Sequence, residues 1–565
     1  MKKILTYRIV GWFFIIVSIG SLIPLSSDFS TILSQISHNF TQKLSEDYTR
    51  FSIQNYHNIL ALYFVTISLL TGCLLLFKKD QVQSFLYHIY KACRQVYLFL
   101  RQLPRRYKII LGLLLLINII LKLYLVFNMP VFVDEAWTYW VFSQKGWLTS
   151  MSYYPAPNNH ILHSLLTNIS VLLPIDKLIA LRLPNFIINI FDVVLFFIVF
   201  SKLFNQKISI FLTTIFSFSF PVFYYGYIAR GYMIYLGAFI VLFYIGIRIL
   251  QYRKFTNYQA SLWFAGSVIG FWSLPAFLYP AASLVVFISL YLYQKNKINV
   301  LHKFLKTNII VVISVFLLYL PVLLVSGYKS LTANPYVSAW SRISVLRNLD
   351  EHFESTSRFL FDMPMWLSIP VFAGLIYYFY KHKWGIEIRF SLFIILVAPL
   401  IMLLHATVPM PRIWIYWLIP VFYILGILVQ DCLLPKLSTN KLFALSLLIA
   451  LLEIGVFFIR IRSYEADSFY AKDLTAYFDT HKPENLYIGQ NTYLGTAVLF
   501  NFKSREKKLT YQEFFTDLNE NDLQKFDYFL LRKKLDSNYC QKHHLKPVKV
   551  SNIKQNIHYL YQKSD

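Results

Sequence analysis

Apolar runs long enough to cross a bilayer recur along most of the chain, with short polar segments between them. A helix needs about 20 apolar residues to cross a hydrocarbon core of about 30 Å, and about thirteen runs approach that length. They cover residues 8–25, 57–77, 108–127, 185–203, 208–226, 232–250, 259–273, 275–293, 307–326, 366–381, 389–405, 413–430 and 441–459. The pattern predicts a polytopic α-helical membrane protein.

Composition agrees with this pattern. Of the 565 residues, 57% are hydrophobic and only 15% are charged, and the mean hydropathy is +0.50. Soluble globular domains carry about 25% charged residues, so this chain falls outside that class. The four cysteines indicate no disulfide framework, since only Cys540 is predicted outside, and their spacing does not match a zinc site.

The net charge of +26 is concentrated in alternate loops. Residues 78–108 hold eight Lys and Arg against one acid, and residues 294–306 hold four lysines against none, whereas loops 26–56 and 327–365 are balanced in sign. The positive-inside rule therefore places the basic loops in the cytoplasm, at the plasma or inner membrane. The basic excess indicates membrane lipids, and not nucleic acid, as partners.

Three parts can be distinguished along the chain. Residues 1–107 form a two-span extension with a basic cytoplasmic loop, and residues 108–459 form the main transmembrane unit. The first apolar run follows Met1-Lys2-Lys3, a pattern typical of either a signal peptide or an uncleaved first span, and we favour the retained span because no clear small-x-small cleavage site follows it.

The third part, residues 460–565, has a different character, because it contains 13 of the 28 acidic residues and no further apolar span. Its patterns predict a small α/β domain, on the extracytoplasmic face if thirteen spans precede it. The helical patterns cover residues 467–480 and 510–518, and the strand-like runs cover residues 486–488, 528–531 and 558–561.

An acidic pair, Asp134-Glu135, follows the third span at the start of the outer loop 128–184. Carboxylates at a membrane helix end are costly to desolvate and suggest a function. The residues that follow can stack on sugar faces or bind hydroxyls, although an interfacial belt would also explain the aromatic ones, and His160 alone is more typical of a structural residue. The candidates are Trp137, Tyr154, Asn158, Asn159 and His160, the last at the start of an apolar, interfacial-helix pattern over residues 160–173.

Five segments, taken in order, resemble the GT-C glycosyltransferases, and more narrowly the protein mannosyltransferase and aminoarabinose transferase branch (glycosyltransferase family 39/83-like). The resemblance covers roughly residues 108–430. It departs from the family in having two spans before the acidic loop, and in having Asn158-Asn159-His160 in place of a Lys-Pro-Pro or His-Pro-Pro stretch. The segments are VDEAW from Val133, PAPNNHILHSLL from Pro155, LRLPN from Leu181, YIARGYMIYLGAFIVLFY from Tyr227 and MPRIWIYWLIP from Met410.

The resemblance implies an inverting enzyme that moves a sugar from a polyprenyl-phosphate donor to a hydroxyl of a lipid, glycan or protein at the outer face. Asp134 would be the general base, with a pKa raised by partial desolvation. Glu135 would orient the acceptor or hold a metal. Cations suit the phosphate leaving group, and Arg182, Arg230 and Arg412 all fall at predicted outer helix ends.

No cofactor is required by these residues. A divalent cation stays an open alternative, because Glu135 and His160 are ligand types that suit one. The intramembrane acids Asp192 and Glu453 are expected to form interhelical hydrogen bonds. Residues 350–354, in the second long outer loop, are interpreted as a solvated face or a lid.

Two other classes compete with the glycosyltransferase. A flippase or transporter of polyprenyl-linked glycans would show repeat symmetry and midplane charges. A polymerase or ligase would use a lipid-diphosphate donor and rely on outer-loop Arg and His. We favour the glycosyltransferase because the chain shows no evident repeat and its richest polar cluster lies in an outer loop.

Overall fold

The computed structural model describes most of the chain, and the account below is limited to those residues. The described ranges are 2–26, 29–41, 51–332, 340–381, 384–433, 438–481, 485–489, 493–503, 510–513, 523–531, 534–550 and 559–564.

Helices dominate the chain up to residue 481. The N-terminal part contains α1 (Lys2–Ser26), α2 (Phe29–Thr41), α3 (His57–Phe77) and α4 (Lys79–Gln102). The next part contains α5 (Arg105–Asn128), α6 (Val133–Thr138), α7 (Trp147–Ser152), α8 (Ile161–Ser170), α9 (Lys177–Leu203), α10 (Gln206–Phe218), α11 (Phe220–Tyr225), α12 (Tyr232–Tyr252) and α13 (Asn257–Ser273).

The rest of the membrane part is also helical, and short 3₁₀ turns at Pro275–Phe277 and Pro411–Trp417 precede two of its helices. They are α14 (Leu278–Gln294), α15 (Ile298–Ser326), α16 (Tyr328–Thr332), α17 (Arg342–Arg347), α18 (Leu349–Phe361), α19 (Met365–Lys381), α20 (Ile386–Leu396), α21 (Ala398–His405), α22 (Leu418–Leu428) and α23 (Thr439–Tyr464).

The chain is an integral membrane protein. Within the described ranges, ten helices are long and apolar enough to span a membrane, or eleven if the bent pair α18 and α19 counts as one span. The prediction of about thirteen was therefore too high by this length criterion. The segments predicted at 208–226, 259–273 and 366–381 contain α10, with 13 residues, and α13 and α19, with 17 residues each.

The centre of the helical bundle is α12, whose apolar window is 83% buried. Its sequence is apolar on every side from Met233 to Ile247, which is typical of a helix surrounded by other helices. It packs against α9 and α13. At Gly237 the chain comes close to α9, since a Cβ there would lie 2.2 Å from Asp192 Oδ1.

Asp192 itself is buried, and its Oδ2 has no hydrogen-bond partner. The interhelical hydrogen bond that we expected of this residue is therefore not seen at that atom.

The C-terminal part forms a small domain with a five-stranded sheet of order β2-β1-β3-β5-β4. Strand β1 is parallel to β2 and β3, whereas β5 is antiparallel to β3 and β4. Its elements are α24 (Ala466–His481), β1 (Asn485–Ile488), α25 (Tyr493–Lys503), β2 (Thr510–Glu513), β3 (Tyr528–Leu531), α26 (Ser537–Lys542), β4 (Leu545–Val548) and β5 (Tyr559–Lys563).

One element of this domain differs from the sequence prediction. The helix predicted over 510–518 is wrong at its start, because Thr510–Glu513 pairs with Asn485–Ile488 as an edge strand. Pairing with a neighbouring strand has overridden a local helical pattern. Residues 514–518 lie outside the described residues.

Candidate active site

A cavity of about 840 Å³ opens where six chain segments meet, with Leu331 of α16 beside them. The six segments are the start of α6, the loop between α7 and α8, the turn between α11 and α12, the turn between α13 and α14, the stretch from α21 to the following 3₁₀ turn, and the junction of α23 with α24. Since these segments line one cavity, they lie at the same end of the bundle, and α6 begins in the loop 128–184, which the sequence predicts to be an outer loop. The cavity therefore belongs to the membrane face that the charge pattern predicts to be the outer one.

The two acids of the opening motif point in different directions. Successive residues of a helix are about 100° apart, so neighbours at the start of α6 cannot share one face. Asp134 lines the cavity, and its side chain is 41% exposed. Glu135 is 0% exposed, and its Oε2 accepts the Phe132 N–H at 3.0 Å at the start of the helix.

Glu135 forms a buried ion pair with Arg182 of α9. Arg182 donates through Nε to Oε1 at 2.9 Å and through Nη2 to Oε2 at 2.7 Å, and both side chains are 0% exposed. Its other donors bind the carbonyls of Val126, Met129 and Pro130, where the chain leaves α5. The pair therefore fixes the segment that carries Asp134.

Asp134 faces two guanidinium groups across the cavity. Arg230 Nη2 and Arg412 Nη1 each lie 3.4 Å from Asp134 Oδ2. Burial acts to raise the pKa of Asp134, but the charges of Arg230 and Arg412 outweigh it and leave the pKa below its ordinary value. The raised pKa expected from desolvation is therefore wrong for this state of the site, because the arginine pair stabilises the carboxylate.

The turn that carries Arg230 is fixed by the groups around it. The Gly231 N–H donates to His160 Nδ1 at 3.0 Å, and Ser273 Oγ donates to the Gly231 carbonyl at 2.7 Å. Asn185 of α9 donates to the Tyr225 and Ile228 carbonyls. Burial and the Arg230 charge hold the pKa of His160 well below its ordinary value, so its neutral ring accepts this hydrogen bond.

The segment that carries Arg412 is positioned from the second long outer loop. Trp414 Nε1 donates to His352 Nε2 of α18 at 2.7 Å, and both side chains are buried. Glu354, in the same acidic cluster, pairs with Arg358 and accepts the Met365 N–H. Among the described residues, 350–354 do not line the cavity, and His352 and Glu354 support its wall from outside.

The structure brings together some of the predicted site residues and separates others. Besides Asp134 and the two arginines, the cavity wall includes Trp137, Tyr154 and Asn158. Four predicted residues, all within the described part, lie behind it. They are Glu135, Asn159, His160 and Arg182.

The residues behind the wall are occupied with holding the backbone. Asn159 donates to the Ser150 and Tyr153 carbonyls at 2.9 Å each and accepts Ser164 Oγ at 2.9 Å. Arg182 has its guanidinium bound as described above. Its predicted contact with a donor phosphate therefore does not fit the geometry, because the group is enclosed.

One end of the cavity is apolar and opens between α14 and α21. Leu278 is 60% exposed and Leu404 is 71% exposed, and both lie on helices long and apolar enough to span a membrane. Tyr279 and His405 join these two helices by a hydrogen bond of 2.8 Å. The apolar wall residues are Leu274, Pro275, Ala276, Leu278, Ile401 and Leu404.

Besides Asp467, sequence reasoning missed a further carboxyl of the cavity wall, that of Glu465. It follows α23 directly and was counted only among the acids of the C-terminal domain. The signal that marks Asp134, an acid just beyond an apolar span, also marks Glu465. The aromatic residues Tyr225, Tyr232 and Tyr464 also line the cavity and were not singled out.

The described residues contain no group of three or more His, Cys, Asp or Glu side chains placed to hold a metal ion. The candidate ligands Glu135 and His160 are committed to other contacts, with Arg182 and with the Gly231 N–H.

Comparisons with known proteins bear on the fold. No protein-family model and no curated protein matches the sequence. Among solved structures, the chain is similar to ArnT from Cupriavidus metallidurans in the apo state, with 8% identity, a TM-score of 0.50, and coverage of 80% of this chain and 97% of that chain. ArnT from the same organism bound to undecaprenyl phosphate gives 9% identity, a TM-score of 0.46 and the same coverage. The chain therefore has the same fold as ArnT.

Proposed function

We propose that this protein is an inverting glycosyltransferase of the plasma or inner membrane. It transfers a sugar from a polyprenyl-phosphate donor to an acceptor hydroxyl at the extracytoplasmic face. The observation that carries the proposal is the cavity in which the Asp134 carboxylate faces Arg230 and Arg412 beside an apolar opening between spans. The ArnT-like fold is consistent with it.

The two ends of the cavity suit the two parts of such a donor. The apolar wall at Leu278 and Leu404 is open towards lipid and can receive a prenyl tail. The arginine pair can bind the phosphate, since guanidinium groups match phosphate oxygens and the charge pairing is stronger away from bulk water. Both arginines are more enclosed than the aspartate, with side chains 3% and 25% exposed.

Donor binding also prepares the base. In the empty cavity the arginine charges hold Asp134 ionised and weakly basic. A phosphate that binds Arg230 and Arg412 neutralises part of their charge, so the pKa of Asp134 rises towards a range suited to proton removal. The site then gains its base only when donor is present.

The transfer step follows from this arrangement. The Asp134 carboxylate takes the proton from the acceptor hydroxyl as its oxygen attacks the anomeric carbon on the side opposite the phosphate. The bond between that carbon and the phosphate oxygen breaks, and its electron pair leaves with polyprenyl phosphate. The arginine pair stabilises the charge on this leaving group. Trp137, Tyr154 and Asn158 contact the substrates, and residues 108–459 act as the catalytic unit.

Asp134→Asn tests the proposed function. The purified full-length variant is assayed with a pool of polyprenyl-phosphate sugars and a cell-envelope extract as acceptor, and released polyprenyl phosphate is measured. Loss of a general base is expected to lower the rate by about 10²–10⁴. The matched control is Asp350→Asn, an exposed outer-loop acid away from the cavity, which should keep the wild-type rate. An Asp134→Asn rate within a few-fold of wild type would refute the base.

A further inference from the structure

Glu465 stands at the junction between the last span and the C-terminal domain. It directly follows α23, and its N–H donates to the Ile461 carbonyl at 2.9 Å, which ends the helix. Its side chain is partly buried and lines the cavity together with Asp134. The C-terminal domain therefore begins inside the proposed active site.

The Glu465 carboxylate is held in a fixed position by two donors. Tyr224 of α11 donates its phenol hydrogen to Oε1, and Ser468 Oγ donates to Oε2 at 2.9 Å. Each carboxylate oxygen can accept a second hydrogen bond. The group is therefore oriented by the protein and retains capacity for a ligand.

We propose that Glu465 binds hydroxyl groups of the sugar that is transferred, and this inference rests on the proposed function. A phosphate at Arg230 and Arg412 leaves the attached sugar in the remaining polar part of the cavity. That part is bounded by Asp134 and by the run from Ser463 to Ser468. Sugar binding needs oriented hydrogen-bond acceptors, and the Glu465 carboxylate is one that is not paired with the arginines.

The charge state of Glu465 offers a direct readout. Burial raises its pKa to about 7, against the hydrogen bonds from Tyr224 and Ser468 that lower it, and the charges of Asp134 and Glu135 raise it further. The arginine pair faces it across the same cavity. As the pH falls through 7 the carboxylate becomes protonated, and its ability to accept sugar hydroxyls weakens.

The experiment compares two lipids with the full-length protein in nanodiscs. One is undecaprenyl phosphate, which lacks a sugar, and the other is the tightest binder from a panel of undecaprenyl-phosphoryl hexoses and pentoses. Glu465→Gln should weaken binding of the sugar-bearing lipid about tenfold at pH 8, as expected for loss of a charged hydrogen bond. It should leave the Kd for undecaprenyl phosphate within about twofold of wild type. It should also abolish the pH dependence, near pH 7, of the Kd for the sugar-bearing lipid.

Two further variants separate binding from a structural role. Tyr224→Phe removes a hydrogen bond that lowers the pKa of Glu465, so the midpoint of the wild-type pH dependence should move to higher pH. Glu351→Gln, an exposed glutamate outside the cavity wall, is the matched control and should behave as wild type. A structural role alone would move thermal stability but not this midpoint.

The outcomes distinguish the two proposals. If Glu465→Gln weakens the binding of both lipids equally, or weakens the binding of neither, the inference is overturned and the proposed function still stands. Failure of the wild-type protein to bind undecaprenyl phosphate, or an active Asp134→Asn enzyme, would refute the proposed function itself.

Discussion

Breaking the buried pair between Glu135 and Arg182 tests whether the second acid of the motif is part of the scaffold or of the chemistry. Glu135→Leu and Arg182→Met each leave one charge enclosed without its partner, and both side chains are 0% exposed. An uncompensated buried charge costs about 3–5 kcal/mol. If the two effects were additive, the double variant would be destabilised by about 6–10 kcal/mol in its free energy of unfolding.

The double variant should be far less destabilised than that sum, because it contains no buried charge. Its residual cost comes from backbone groups that lose partners, chiefly the N–H groups of Phe132 and Ala229, which Glu135 accepts at 3.0 and 2.8 Å. An unpaired buried donor costs about 1–3 kcal/mol. Two such donors cost about 2–6 kcal/mol, so the double variant should lie about 4 kcal/mol below the additive sum, a favourable coupling between the two substitutions.

The assay is denaturant unfolding of the purified protein in mixed micelles, followed by tryptophan fluorescence and repeated for both single variants and the double. Arg358→Gln is the control, because its pair with Glu354 is 59% and 32% exposed and such a pair contributes about 0–1 kcal/mol. Strict additivity would refute the scaffold role. A Glu135→Leu protein of wild-type stability but lacking transfer activity would instead support the acceptor-orienting role that the resemblance implies for Glu135.

Two further substitutions test how the surrounding structure positions the site. His160→Asn places an acceptor where Nδ1 now receives the Gly231 N–H, so this variant should bind undecaprenyl phosphate with a Kd within about threefold of wild type. His160→Gln should bind the same lipid about tenfold more weakly. Equal Kd values for the two variants would contradict the positioning role. Gly237→Ala should lower the free energy of unfolding by about 1–3 kcal/mol, because the new Cβ would lie 2.2 Å from Asp192 Oδ1 of α9. Gly374→Ala should be near neutral, because its new Cβ would have no neighbour within 4 Å. Thermal melting of the two glycine variants measures the difference, and equal melting temperatures would show that α9 and α12 can move apart at little cost.

Much of the architecture follows from local properties of the sequence. The hydropathy of a span's own residues predicts the span, and the charges beside it predict its orientation, so the membrane class could be predicted without the fold. The resemblance to GT-C enzymes rested instead on five motifs in order along the chain. The length of a helix is less local. The predicted runs 259–273 and 366–381 were already short, as are α13 and α19 with 17 residues each, whereas the longer run 208–226 is divided in the structure between α10, of 13 residues, and α11.

The roles of the polar residues were decided by tertiary structure. Asp134 and Glu135 are adjacent and chemically alike, yet the turn of α6 directs one into the cavity and the other to Arg182, 47 residues away. Glu465 reaches the same cavity from the far end of the membrane part. The sequence by itself determined that carboxylates and arginines lie at the ends of apolar spans, and it predicts that these ends face outward. Which of them meet a ligand depends on helix packing, because the distances between these groups are set by contacts among residues remote in the chain.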